Sequence, residues 1–164
     1  MVFKQRKPTR LKDFNYGQEG SYFVTICTHN KMNILSYIDK KQDLETATVQ
    51  LSPIGQIAES CLLDLEERFP NIKIDTYVIM PNHIHAIISI QDVSIPNPKE
   101  LSDLICTYKS LVTKIVKRHH TIDKLFQRSY YDHIIRNEKD YQNTFSYILR
   151  NPGKWLEDKY YSSQ

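Results

Sequence analysis

The spacing of apolar and polar positions changes several times along the chain, and each change marks an element. SYFVTICTH, Ser21 to His29, is rich in β-branched and aromatic residues and predicts a strand. From about Ser52 to Phe69 the spacing becomes helical. Ile57, Cys61, Leu62, Leu65 and Phe69 share one face, Ser52 stands at the N-cap and Pro53 at the first helical position. IKIDTYVIM and HIHAIISI are two further strands. Met80-Pro81-Asn82 between them is turn chemistry, since proline cannot donate to a central ladder, so the two form an antiparallel hairpin.

QDVSIPNPK, with two prolines, is a loop. From Lys99 to about His119 the chain predicts a long amphipathic helix with Leu101, Leu104, Ile105, Tyr108, Leu111, Val112 and Ile115 as its apolar stripe. YYDHIIR is a short fourth strand. A last helix begins near Asn137 or Glu138, carries Tyr141, Phe145, Ile148 and Leu149 on its apolar stripe, and ends near Asn151, because Pro152 disfavours helix in the residue before it. Strand, helix, hairpin, helix, strand, helix predicts an α+β fold, an antiparallel sheet with helices packed on it.

Composition narrows the class. The 164 residues suit one domain, 1–164, with 40% hydrophobic and 25% charged residues, an ordinary globular balance. No apolar run approaches the roughly 20 residues that cross a bilayer, so no membrane partner is expected. The N-terminus lacks the apolar region and cleavage site of a signal peptide. Cys27, Cys61 and Cys106 are odd in number and form no CxxC, which points away from a disulfide framework and toward a reducing cytoplasm. Net charge is only +3, but Lys4, Arg6, Lys7, Arg10 and Lys12 cluster in a basic arm, residues 1–16. Such an arm suits a polyanion, since Lys and Arg displace counterions from phosphates, although charge alone favours a solvated, disordered tail.

The informative oddity is VIMPNHIHAII, which puts His83 and His85 inside an apolar run. Residues two apart share a strand face, so both imidazoles point one way, while Ile84, Ala86 and Ile88 point into the core. Two adjacent imidazoles make a ready pair of metal ligands. The pair also follows directly on a turn, at a sheet edge that a ligand can approach. On the last helix Tyr147 sits roughly 140° around from the centre of the apolar stripe. Asn151 lies one turn beyond it on nearly the same face.

These segments in order, RLKDFNYGQEGSYFVTICTHN, LSPIGQIA, YVIMPNHIHAII, LSDLICTYKSLVTK, FQRSYYDHIIRNEKDYQ and YILRNPGKW, resemble the single-tyrosine HUH transposases. Within them the match is closer to the REP-associated tyrosine transposases than to the transposases of small insertion sequences. HUH denotes His, a hydrophobic residue, His. A lone His-x-His would carry little weight; MPNHIH with a downstream YIxxNP is specific. Relatives often carry Trp where this chain has Phe126, a conservative departure.

The resemblance implies a ferredoxin-like or RRM-like fold with the HUH pair on a central strand. It implies Tyr147 as nucleophile and His83, His85 and Asn151 as ligands of Mg2+ or Mn2+. It implies cleavage and rejoining of single-stranded, hairpin-containing DNA through a 5′-phosphotyrosine, by a prokaryotic, cytoplasmic, nucleoid-associated protein acting as a monomer or a homodimer. Arg6, Lys7, Arg10, Arg128, Arg136 and Lys154 are candidate phosphate contacts, and Tyr130 or Tyr131 a candidate base-stacking platform. Two rivals exist. A domesticated protein of this fold would bind DNA without cutting it. A histidine-triad hydrolase would need a third His at position 87, which is Ile.

Overall fold

The computed structural model describes residues 17–39 and 47–161. The basic arm, with Arg6, Lys7 and Arg10, therefore lies outside the described residues. The described residues form six strands and three longer helices: β1 (Gly20–Cys27), β2 (Ser36–Asp39), β3 (Thr48–Leu51), α1 (Pro53–Arg68), β4 (Ile72–Ile79), β5 (His83–Ile90), α2 (Leu101–His119), β6 (Tyr131–Ile135) and α3 (Glu138–Arg150). A 3-10 turn, Pro152–Glu157, follows α3. Among the described residues no helix is long and apolar enough to cross a membrane.

Four strands form one antiparallel sheet in the order β4-β5-β1-β6. With α1 between β1 and β4 and α2 between β5 and β6, this is the split βαβ arrangement of ferredoxin-like folds, and it agrees with the fold expected from the sequence. β5 is an interior strand, paired along its whole length with β1 and from Ile84 to Ile90 with β4. The histidine pair is thus not at a sheet edge. Burial on both faces explains why β5 is a near-continuous apolar run rather than an alternating one.

The hydrophobic core fills one face of the sheet. Tyr22, Val24 and Ile26 of β1 and Ile84, Ala86, Ile88 and Ile90 of β5 meet Ala58, Leu62 and Leu65 of α1 and Leu101, Leu104, Tyr108, Val112 and Val116 of α2. Local chemistry starts α1 as expected: Ser52 accepts a hydrogen bond from Gly55 N at 3.0 Å, and Pro53 opens the first turn. Gly55 itself is dictated by packing, because a Cβ there would collide with the Leu35 carbonyl oxygen.

α3 lies on the other face. Asn137 caps it, accepting from Asp140 N at 2.9 Å. Its apolar stripe is narrower than the spacing suggests. Ile148 is fully buried and Tyr141 and Phe145 partly so, whereas Leu149, one step around the helix, is 62% exposed. The β2–β3 ribbon has no counterpart in the sequence reading, since two four-residue strands are too short to establish a period.

Candidate active site

Strand alternation places His83 and His85 on the α3 face, with Thr25 of β1 directly opposite His85 and Cys27 opposite His83. Both histidines are buried, under a roof made by the segment after α3. The Trp155 ring is 6.0 Å from His83, and the Tyr160 ring is 4.7 Å from His83 and 5.9 Å from His85. The two imidazoles are edge to face at 4.4 Å.

Each ring is fixed by its Nδ1. His83 Nδ1 donates to Asn82 Oδ1 at 2.9 Å. The orientation of that amide is set from its other end, where Asn82 Nδ2 donates to the carbonyls of Lys31 (3.3 Å) and Tyr160 (2.8 Å). His85 Nδ1 pairs with Thr25 Oγ1 at 2.9 Å. With Nδ1 carrying the proton, His83 Nε2 is left as a bare acceptor. It is buried and has no hydrogen-bond partner among the described residues.

Tyr147 approaches from α3. Its hydroxyl is 3.4 Å from His85 Nε2, and its ring meets those of His85 (5.3 Å) and Phe23 (6.0 Å). The residue is 41% exposed, so one edge faces a cleft of about 640 Å³ lined by Arg150, Asn151, Lys154, Asp158 and Lys159. A second pocket of about 440 Å³, with Phe23, Tyr131, His133 and Lys159 in its walls, also borders Tyr147. Asn151, at the C-cap of α3, is buried. Its Nδ2 donates to Asp158 Oδ2 at 3.0 Å, while its Oδ1 is buried without a partner among the described residues.

The electrostatics follow from burial. Desolvation pushes His83 down to about 4, against the opposing pull of the Asp158 carboxylate and the Asn151 side chain. Desolvation, and then the neighbouring His83, hold His85 well below the usual imidazole range. Both are neutral at pH 7, the state a metal ligand requires. Burial, with Asp158 nearby, pushes the Tyr147 hydroxyl up to about 12.

The structure therefore brings Tyr147, His83, His85 and Asn151 together, with Lys154 at the rim. Arg128 and Tyr130 line a different cavity, of about 790 Å³, against α2; Tyr130 also packs on the hydrophobic core. Arg136 is exposed just before α3, where its backbone N–H donates to Asp140. Three neighbours were not visible in the sequence: Thr25, Tyr160 and Asp158. The faint signal for Thr25 is its place on the same face as Phe23 in β1. Asp158 and Tyr160 follow an irregular segment that has no period to read.

No protein-family model matches the chain. An uncharacterised protein of Haemophilus influenzae (strain Rd) is 34% identical over 173 aligned positions, covering 95% of this chain and 93% of that one. The chain belongs to the same family as that protein. Among solved structures, a REP-associated tyrosine transposase bound to a REP hairpin superposes with a TM-score of 0.59 at 20% identity, over 94% of this chain and 74% of the other. A candidate transposase of Deinococcus radiodurans R1 gives 0.50 at 12% identity, over 85% and 94%. This chain has the fold of these two structures, in agreement with the fold that the sequence motifs imply.

Proposed function

We propose that the chain is a metal-dependent tyrosine transposase that cleaves and rejoins single-stranded DNA at hairpin-containing sites. The observation that carries this is the meeting of the hydroxyl of a half-exposed tyrosine with two neutral imidazoles and two buried acceptor atoms that no donor among the described residues satisfies, His83 Nε2 and Asn151 Oδ1. Buried acceptors without partners are costly in a folded protein. A divalent cation would satisfy both.

A bound Mg2+ or Mn2+, held by His83, His85 and Asn151, would supply positive charge to the phosphate oxygens and favour the phenolate. The chain's own residues do the rest. Tyr147 Oη attacks the backbone phosphorus; the bond to the 3′ oxygen breaks. The tyrosyl proton is lost, the 3′ oxygen gains one, and a 5′-phosphotyrosine remains. A 3′-OH attacking that linkage reverses the step and reseals a strand, so the bond is conserved without ATP. Thr25 and Asn82 hold the imidazoles in register throughout. The REP-associated neighbour carries a hairpin, which supports a hairpin substrate here, with Lys154 at the cleft rim as a phosphate contact.

The test is cleavage of a labelled hairpin substrate in Mg2+ or Mn2+, with EDTA and with His83→Ala. Both should abolish cleavage while leaving most DNA binding intact, because affinity comes chiefly from backbone charge. Undiminished cleavage in EDTA removes the metal from the mechanism.

A further inference from the structure

The segment that roofs the histidines does more than cover them. Asp158 presents a carboxylate oxygen that lies, together with one ring nitrogen from each of His83 and His85, in a set whose members are all within 4.8 Å of one another. The carboxylate is held from two sides. Asn151 Nδ2 donates to Oδ2 at 3.0 Å and the Tyr160 backbone N–H to Oδ1 at 2.7 Å. Beside them, His83 Nε2 and Asn151 Oδ1 are buried and have no hydrogen-bond partner among the described residues. Acceptors from β5, α3 and the C-terminal segment thus converge. The donors that reach Asp158, from Asn151 and Tyr160, hold it in place and leave His83 Nε2 bare.

We infer that Asp158 is a further ligand of the metal held by the histidines, so that the ion ties residues 152–161 to the sheet. The inference rests on the metal-binding reading above and adds to it a ligand that the family motifs do not supply. Two imidazoles and a carboxamide are neutral; the Asp158 carboxylate adds the negative charge that offsets a divalent ion's loss of water. Asn151 then has two tasks, offering Oδ1 inward while its Nδ2 orients the carboxylate, as outer partners orient ligands in metal sites. Linkage follows: whatever affinity the ion gains from Asp158, docking of the C-terminal segment gains from the ion.

The experiment uses the full chain without DNA and Mn2+ as probe. Mn2+ affinity is measured by titration calorimetry and electron paramagnetic resonance for wild type, Asp158→Asn and His83→Ala. Trypsin cleavage at the exposed Arg150, Lys154 and Lys159 is followed with and without Mn2+. Asp158→Asn keeps the side chain's shape and one of its two acceptor oxygens, so it can still accept from Asn151 Nδ2 or from the Tyr160 N–H but not from both, and a thermal melt checks that it folds. Its Mn2+ affinity should fall at least about tenfold, the lower end of what even an outer-shell partner contributes. Mn2+ should slow cleavage of the C-terminal segment in wild type and not in Asp158→Asn. Unchanged Mn2+ affinity in Asp158→Asn, alongside loss in His83→Ala, overturns this inference and leaves the metal reading standing. Failure of wild type to bind Mn2+ overturns both.

Discussion

Asn82 Oδ1 accepts a hydrogen bond from His83 Nδ1 at 2.9 Å, and this contact between chain neighbours decides which nitrogen of His83 is free. It gives a physical reason for the Asn in MPNHIH. The turn that joins β4 to β5 supplies both the chain reversal and the group that fixes the first histidine's tautomer. The same side chain reaches through Nδ2 to the Tyr160 carbonyl, so it also anchors the segment over the site.

Asn82→Ala should therefore lower metal affinity by about 10–100-fold, the usual cost of losing an outer-shell partner, with His83 itself intact. Calorimetric titration with Mn2+ checks this. Affinity equal to wild type would mean that burial alone orients the ring.

Asn151→Ala should weaken metal binding less than loss of either histidine, because a neutral carboxamide is the poorest of these ligands. Asn151→Gln keeps the carbonyl oxygen on a longer arm and should retain part of the activity. A metal-bound structure with residue 151 remote from the ion would refute the assignment.

Gly55→Ala tests the fold rather than the chemistry. The added Cβ meets the Leu35 carbonyl oxygen, which also accepts from Ser52 N at 2.9 Å and so cannot move without loss. Destabilisation of about 1–3 kcal/mol, the usual cost of overpacking, should appear in urea unfolding. A neutral result would show that the start of α1 can shift away from Leu35.

Much of this architecture is legible in the sequence, for identifiable reasons. β5 and α2 are long and strongly patterned, and Ser52-Pro53 and Asn137 mark helix starts by their own chemistry. Strand alternation alone puts His83 and His85 on one face. It does not tell whether that face is open, because the roof comes from Pro152–Glu157 and the residues after it, an irregular stretch held by Trp155 and by contacts to Asn82. The predicted stripe of α3 included Leu149, which is exposed; a helix crossing a sheet face buries a narrower strip than one packed into a core. Tyr147 and Asn151 were legible as neighbours from helix geometry, and their contact partners only from the tertiary structure.

The central claim is that Tyr147 is the nucleophile, and mapping the covalent adduct tests it most directly. Wild-type protein incubated with labelled single-stranded hairpin DNA and Mn2+ should yield a denaturant-resistant species joined through a 5′ phosphate to the peptide containing Tyr147. Tyr147→Phe removes one hydroxyl from a half-exposed residue, so it should change stability by about 1 kcal/mol or less, bind DNA as wild type does, and form no adduct. DNA found instead on another tyrosine, such as Tyr130, Tyr131, Tyr141 or the Tyr160 whose ring packs against the histidines, would contradict the account.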